Sequence, residues 1–188
     1  DITWQLFEMF SVEIKNEGFS ELAENIEFPL VLVLAGMERA GVKLDSDSMN
    51  KFSVLLEKDI LRLRDEIYEL AGEEFNIQSP KQLGDILFEK LKVSKDVRKT
   101  KTKQYSTSED VLSKLADSHP IVNAVLEFRM LRKLLSTYVE ALPRLVNERT
   151  RLLHTSYNQA VAATGRLSSN NPNLQNIPVR SKEGKSIR

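Results

Sequence analysis

Residues 45–72 read DSDSMNKFSVLLEKDILRLRDEIYELAG, and their spacing decides the fold class. Met49, Phe52, Leu56, Ile60, Leu63, Ile67 and Leu70 recur at intervals of three or four, which brings them to one side of a 3.6-residue helix. Asp45 stands where an N-cap acceptor is needed, and Gly72 where a left-handed residue closes a last turn. A seam this long is either a coiled-coil strip or the inner face of a helix packed into a core. Either way a second apolar helix has to cover it, and the chain is predicted to be mainly α with a little β.

The covering helix is predicted over residues 120–142, with Ile121, Val125, Leu126, Leu131, Leu134, Leu135 and Tyr138 inward and Pro143 as the stop. Arg129, Arg132 and Lys133 fall on its other face. Residues 1–15 place Ile2, Leu6, Met9, Phe10 and Ile14 at helical spacing and need a partner surface. A further helix is predicted over residues 24–40, with Pro29 in its first turn, Gly41 at its end, and Leu30, Val33, Leu34 and Met37 buried. Ser79-Pro80 reads as a cap and first turn for a short helix burying Leu83, Ile86, Leu87 and Leu91. Ser106 to Glu109 has the Ser-x-x-Glu spacing of a capping box, ahead of Val111, Leu112 and Leu115. Residues 42–44 and 152–159 are the strand candidates.

Lysine plus arginine and aspartate plus glutamate each number 27, but they are unevenly placed. Residues 1–91 hold 9 basic and 19 acidic side chains, a net of −10, and residues 92–188 hold 18 and 8, a net of +10. Such asymmetry points to a polyanion-binding half, although two solvated faces of opposite sign would give the same count. The loop at 92–104 carries Lys92, Lys95, Arg98, Lys99, Lys101 and Lys103 against Asp96 alone. Lysines that neutralise phosphates release counterions and give affinity without sequence preference. Ser106, Thr107 and Ser108, at the helix start behind that loop, add hydroxyls and backbone N–H groups suited to an anion.

Residues 164–180 read TGRLSSNNPNLQNIPVR and are almost free of core-forming side chains. Short amides and hydroxyls bond their own backbone and fix turns, so the segment presents arginine and amide groups from a scaffold. This run resembles the block that follows the thumb in family A DNA polymerases, and TGRLSS followed by PNLQNIPVR is a long, specific match. The resemblance implies an antiparallel pair of long helices as a thumb over residues 46–142, preceded by an entry segment at 25–45. It implies the start of the palm, with a small β element, over residues 143–188. It makes residues 1–24 the last helix of a 3′–5′ exonuclease-like domain, and Asp1 is given no metal.

Carried over by position, the resemblance makes Arg166 a minor-groove reader near the primer end. It makes Asn173, Gln175, Asn176 and Arg180 contacts to the template-primer or supports of such contacts. Asn76, Ser79, Arg129, Lys133 and Ser136 become thumb contacts to the DNA backbone, and the loop carrying Lys99, Lys101 and Lys103 becomes the thumb tip. Leu135 departs from the family's frequent lysine, and Asn170-Asn171 from a more usual Ser or Thr followed by Asp.

The chain has no cysteine, so thiolate chemistry, disulfides and cysteine-based zinc sites are excluded. His119 and His154 read as structural. After residue 140 the only acids are Glu148 and Glu183, too few to hold a pair of metal ions. The resemblance implies that Mg²⁺ serves the full-length parent and that the metal-binding aspartates and the fingers follow Arg188. It also implies primer-template DNA, with the remaining palm and fingers, as partners, no catalysis by these residues alone, no membrane contact, and a bacterial cytoplasm near the nucleoid. Residue patterns alone leave two alternatives open: a stand-alone basic helical nucleic-acid-binding module, and a purely structural helical scaffold.

Overall fold

The computed structural model describes residues 1–94, 104–179 and 182–187. The expectations for Lys99, Lys101, Lys103 and Arg180 lie outside the described residues. The chain divides into two compact units, Asp1–Leu44 with Leu145–Arg180, and Asp45–Arg144 with Ser181–Arg188.

The first unit opens with α1, Ile2–Asn16, capped by Asp1, whose Oδ1 accepts the Thr3 N–H at 3.1 Å. None of the apolar side chains of α1 is buried, and Trp4, Phe7 and Phe10 are all exposed. Next comes one helical run: α2, Ser20–Leu22, a π-helical turn, Ala23–Glu27, and α3, Phe28–Ala40. It begins four residues earlier than the sequence suggests and passes through Pro29, which therefore lies inside the run. Proline has no N–H and its ring presses on the carbonyl four residues back. Here that residue is Asn25, which sits in the wider π turn, so the helix continues. Of the four residues expected inside α3 only Leu34 is buried, while Val33 and Met37 are exposed.

The strand candidates are shorter than expected. Val42 and Leu153 form an isolated antiparallel bridge, and β1, Ser156–Asn158, pairs antiparallel with β2, Ser168–Asn170, in the register Tyr157 opposite Ser169. The end of α3 fixes this hairpin, because Glu38 accepts the Tyr157 N–H on its carboxylate at 2.6 Å. His154 adds to it by bonding the Glu38 carbonyl through Nδ1 at 2.8 Å and facing Thr150 through Nε2 at 2.7 Å. A carbonyl only accepts, so Nδ1 carries the hydrogen and Nε2 receives the threonine's. His154 is structural, as expected.

The second unit is organised on α4, Ser46–Ala71, which is 26 residues long. Asp45 caps it, accepting the Ser48 N–H at 3.0 Å, and Gly72 ends it at φ 73°, ψ 13°. Met49, Leu56, Ile60, Leu63 and Ile67 are buried as expected, while Phe52 and Leu70 are half-buried. The short helix α5, Pro80–Gly84, has Ser79 as its cap and passes into a π-helical segment, Asp85–Lys90, with Leu83, Ile86, Leu87 and Phe88 inside. Helix α6, Glu109–Ser113, starts one residue after Ser108, so Glu109 stands at its first position and the expected capping box does not form.

Helix α7, Pro120–Leu134, packs along α4 and buries Ile121, Val122, Val125, Phe128, Leu131 and Leu134. Its Leu126, expected inside, is half-buried. A π-helical turn, Leu135–Val139, follows and leads into α8, Ala141–Arg144. Pro143 therefore does not stop the run. As at Pro29, the carbonyl four residues earlier, here Val139, belongs to a π turn. A last short helix, α9, spans Lys182–Lys185.

Candidate functional site

The second unit holds an open cleft of about 800 Å³. One wall is the cationic face of α7, Arg129, Arg132 and Lys133, continued by Ser136 and Thr137. The other walls are residues 104–108 and the Gln78–Pro80 approach to α5. Among the described residues no carboxylate lines it. Arg132 and Lys133 are exposed, so their charges are free to meet a polyanion in solvent.

Arg129 differs from its neighbours. It is half-buried and its guanidinium donates to the Thr107 carbonyl, with a second bond to Thr107 Oγ1 at 3.3 Å. Burial lowers its pKa below that of a free arginine, yet an arginine remains charged at any working pH. The side chain spends part of its fork holding residues 106–108 against α7. Ser106 and Ser108, whose hydroxyls lie 3.3 Å apart, are kept at the cleft edge by that clasp. The anion attraction expected from the helix start is weak, because α6 has only five residues and Glu109 and Asp110 occupy its first turn.

Asn76 and Ser79 shape the approach to α5. Asn76 donates its N–H to Gln82 Oε1 at 2.7 Å and accepts the Gln78 N–H on Oδ1 at 3.0 Å, while Ser79 Oγ accepts the Gln82 N–H at 3.4 Å. Ser136 donates to the Arg132 carbonyl at 2.9 Å. The structure thus brings Ser106, Thr107, Ser108, Arg129, Lys133 and Ser136 to one cleft, with Ser79 next to it. Sequence reading did not select Arg132, Gln78 or Thr137. Arg132 was visible as part of the basic face, whereas the other two have no signal in the sequence.

The first unit holds Arg166, Asn173, Gln175 and Asn176. Arg166 is exposed and follows Gly165, which has φ 73° and would have open space around an added Cβ. The glycine is therefore needed here for its backbone angle, because L side chains rarely adopt it. Asn173 Oδ1 accepts the N–H groups of Gln175 at 3.1 Å and Asn176 at 3.3 Å, and Gln175 Nε2 donates to the Leu167 carbonyl at 2.9 Å. Asn173 and Gln175 hold the loop in shape, and Arg166 projects from it.

Among the described residues no group of three or more His, Asp or Glu side chains could hold a metal ion, and no helix is long and apolar enough to cross a membrane.

Comparison with known proteins gives a consistent answer. Residues 46–188 match the family described as DNA polymerase family A. The chain is 53% identical over 169 residues to DNA polymerase I of Synechocystis sp., covering 89% of this chain and 17% of that one. It is 50% identical over 176 residues to DNA polymerase I of Bacillus subtilis, covering 94% and 20%. It therefore spans about a fifth of the length of these curated relatives. A solved structure, the POL domain of Pol1 from M. smegmatis in complex with DNA primer-template and dNTP, superposes with a TM-score of 0.83 at 36% identity. That match covers 94% of this chain and 31% of the other.

Proposed function

Since the chain belongs to DNA polymerase family A, we propose that it is the DNA-positioning part of a DNA-directed DNA polymerase I, a nucleotidyltransferase of replication and repair. In this reading residues 46–142, built on α4 and α7, are the thumb, residues 143–188, with β1 and β2, are the start of the palm, and residues 1–24 and 25–45 are the exonuclease-like remnant and the entry segment. The observation that carries the reading is the cleft with Arg129, Arg132 and Lys133 on one helix face and no carboxylate among its described lining residues. Cations spaced along a helix and backed by hydroxyls from Ser106, Ser108 and Ser136 suit successive phosphates, which carry no sequence information. Asn76 and Ser79 extend the same edge, and the family resemblance adds Lys99, Lys101 and Lys103 as further phosphate contacts.

Arg166 has the second role, reading the minor groove at the primer end, with Asn173, Gln175, Asn176 and Arg180 as contacts or supports. A polymerase must accept every sequence while sensing the shape of the last pair. Purine N3 and pyrimidine O2 acceptors occur on every pair in that groove. Arginine offers a fixed fork of donors that never loses its proton.

Mg²⁺ belongs to the whole polymerase in this proposal. The described residues do not form a site for it, and no chemical step is assigned to them. The partners are primer-template DNA and the remaining palm and fingers. In this proposal the enzyme works in the bacterial cytoplasm, associated with the nucleoid.

The test is made in the full-length polymerase. Arg132→Ala with Lys133→Ala should weaken primer-template binding equally for all sequences and flatten the salt dependence by about one unit for each phosphate no longer neutralised. Arg166→Ala should slow extension roughly tenfold or more, the scale of a good base contact. Unchanged binding and extension in these variants would overturn the assignment.

A further inference from the structure

Two hydroxyls outside the DNA contacts proposed above are buried against the segment that follows Arg166. Thr155 is 4% exposed and Ser169 0%, and their oxygens meet at 2.7 Å. Thr155 Oγ1 also lies 2.7 Å from the Pro172 carbonyl and 3.0 Å from that of Asn170. Ser169 Oγ lies 3.1 Å from the Pro172 carbonyl and accepts the Leu174 N–H at 3.2 Å.

The two hydroxyls have one proton each, which limits how these bonds are shared. In the arrangement that uses the two shortest, Leu174 N–H donates to Ser169, Ser169 donates to Thr155, and Thr155 donates to the Pro172 carbonyl. This head-to-tail chain polarises each link by the one before it, in a site without competing water. It fastens both ends of the 172–174 turn, to β2 through Ser169 and to the approach to β1 through Thr155. Gln175 then ties the same turn to the Leu167 carbonyl at 2.9 Å, and Leu167 is the residue after Arg166.

We propose that Thr155 and Ser169 are positioning residues for Arg166: their buried hydroxyl chain fixes the 172–175 turn, and that turn sets the backbone from which Arg166 reaches the primer end. The inference rests on the reading of Arg166 given above. Thr155→Val keeps the side-chain shape but removes the donor to Pro172 and the acceptor for Ser169, so the turn loosens while the surface charge stays unchanged. Thr155→Ser restores the hydroxyl.

The experiment uses the full-length polymerase and two primers, one ending in a natural purine and one in its 3-deaza analogue, which lacks the minor-groove acceptor. The readout is the ratio of their extension rates, alongside the salt slope of primer-template binding. The native enzyme should favour the natural primer by about tenfold or more. Thr155→Val should cut that ratio at least by half and leave the salt slope as it was. It should also add little to Arg166→Ala, because the two act through one interaction. Thr155→Ser should recover the native ratio. Should Thr155→Val fold poorly, Ser169→Ala, which interrupts the chain at its middle link, carries the same expectation. A Thr155→Val enzyme slowed equally on both primers, and fully additive with Arg166→Ala, would make the pair merely structural and overturn the inference. If Arg166→Ala itself kept the native ratio, the reading of Arg166 would fail first and take the inference with it.

Discussion

Replacing Gly41 with alanine should damage the first unit more than any ordinary helix-end substitution. Gly41 closes α3 at φ 68°, ψ 179°, a region open almost only to glycine, and its N–H bonds the Met37 carbonyl at 3.0 Å. An added Cβ would lie 2.8 Å from His154 Cε1, 3.0 Å from His154 Nδ1 and 3.0 Å from Leu152 Cβ. The imidazole cannot swing aside freely, since Glu38 and Thr150 hold its two nitrogens. Leu152 cannot either, because Val42 and Leu153 exchange two backbone bonds of 2.8 Å at the next residue. The backbone strain costs about 1–3 kcal/mol, and giving up one histidine bond about 1 kcal/mol. The expected loss is therefore about 2–4 kcal/mol. Gly72→Ala is the reference: its φ is also positive, but the nearest atom to a new Cβ is the end of the Lys90 side chain at 3.8 Å, so about 1–2 kcal/mol is expected. Amide hydrogen exchange at Val42 and Leu153 reads the first unit directly, and Gly41→Ala should lower their protection by about 30- to 1000-fold. Protection unchanged at both amides would refute the argument, as would a loss no greater than that of Gly72→Ala in its own unit.

Ile67→Ala, at a wholly buried position of α4, should cost about 2–5 kcal/mol through lost burial and the cavity left behind; urea unfolding followed by circular dichroism would show a lower midpoint, and an unmoved midpoint would contradict the seam. Asp45 is held below its ordinary pKa of 3.8, first by the Ser48 N–H and then by the Ser48 hydroxyl. Its contribution is thus complete above pH 3.8 and fades as the pH falls through the lower folded value. Asp45→Asn should therefore flatten the acid limb of α4 stability, seen as amide protection titrated between about pH 5 and 2, and an unaltered limb would remove the cap from the account. In the full-length chain, Lys99, Lys101 and Lys103 changed together to alanine should flatten the salt slope of primer-template binding by up to about one unit for each phosphate that a lysine ceases to neutralise; fluorescence anisotropy at several salt concentrations would show an unchanged slope if the loop stays clear of DNA.

Local rules were sufficient wherever the physics is local. Asp45 and Gly72 bound α4 because a cap acceptor and a left-handed residue satisfy groups within four positions of them. Most of the inward positions of α4 and of α7 follow from a period that the residues themselves carry. Ser79-Pro80 marked a helix start for the same reason. The run of residues 164–179 announced both its turn-forming chemistry and its family before any coordinate was known.

Other features depended on which distant segment came near. Nothing beside Val33 or Met37 in the chain says that these apolar side chains stay exposed. Pro29 and Pro143 look like helix boundaries until a π turn moves the opposing carbonyl out of the way. Arg129 and Thr107 are 22 positions apart, so only folding could show that this arginine clasps the cleft as well as charging it. The Thr155–Ser169 pair was hidden for the same reason. A threonine in a strand candidate and a serine in a turn-rich run carry no sign of meeting, and only the pairing of β1 with β2 brings these two together in a buried place. Sequence by itself determined the long helices, the caps of α4 and α5 and the charge of the outer face of α7, because those are settled within a few residues. Tertiary structure alone decided which polar groups are spent on holding the site and which remain free to touch a ligand, because a hydrogen bond between distant residues exists only once the chain has closed around it.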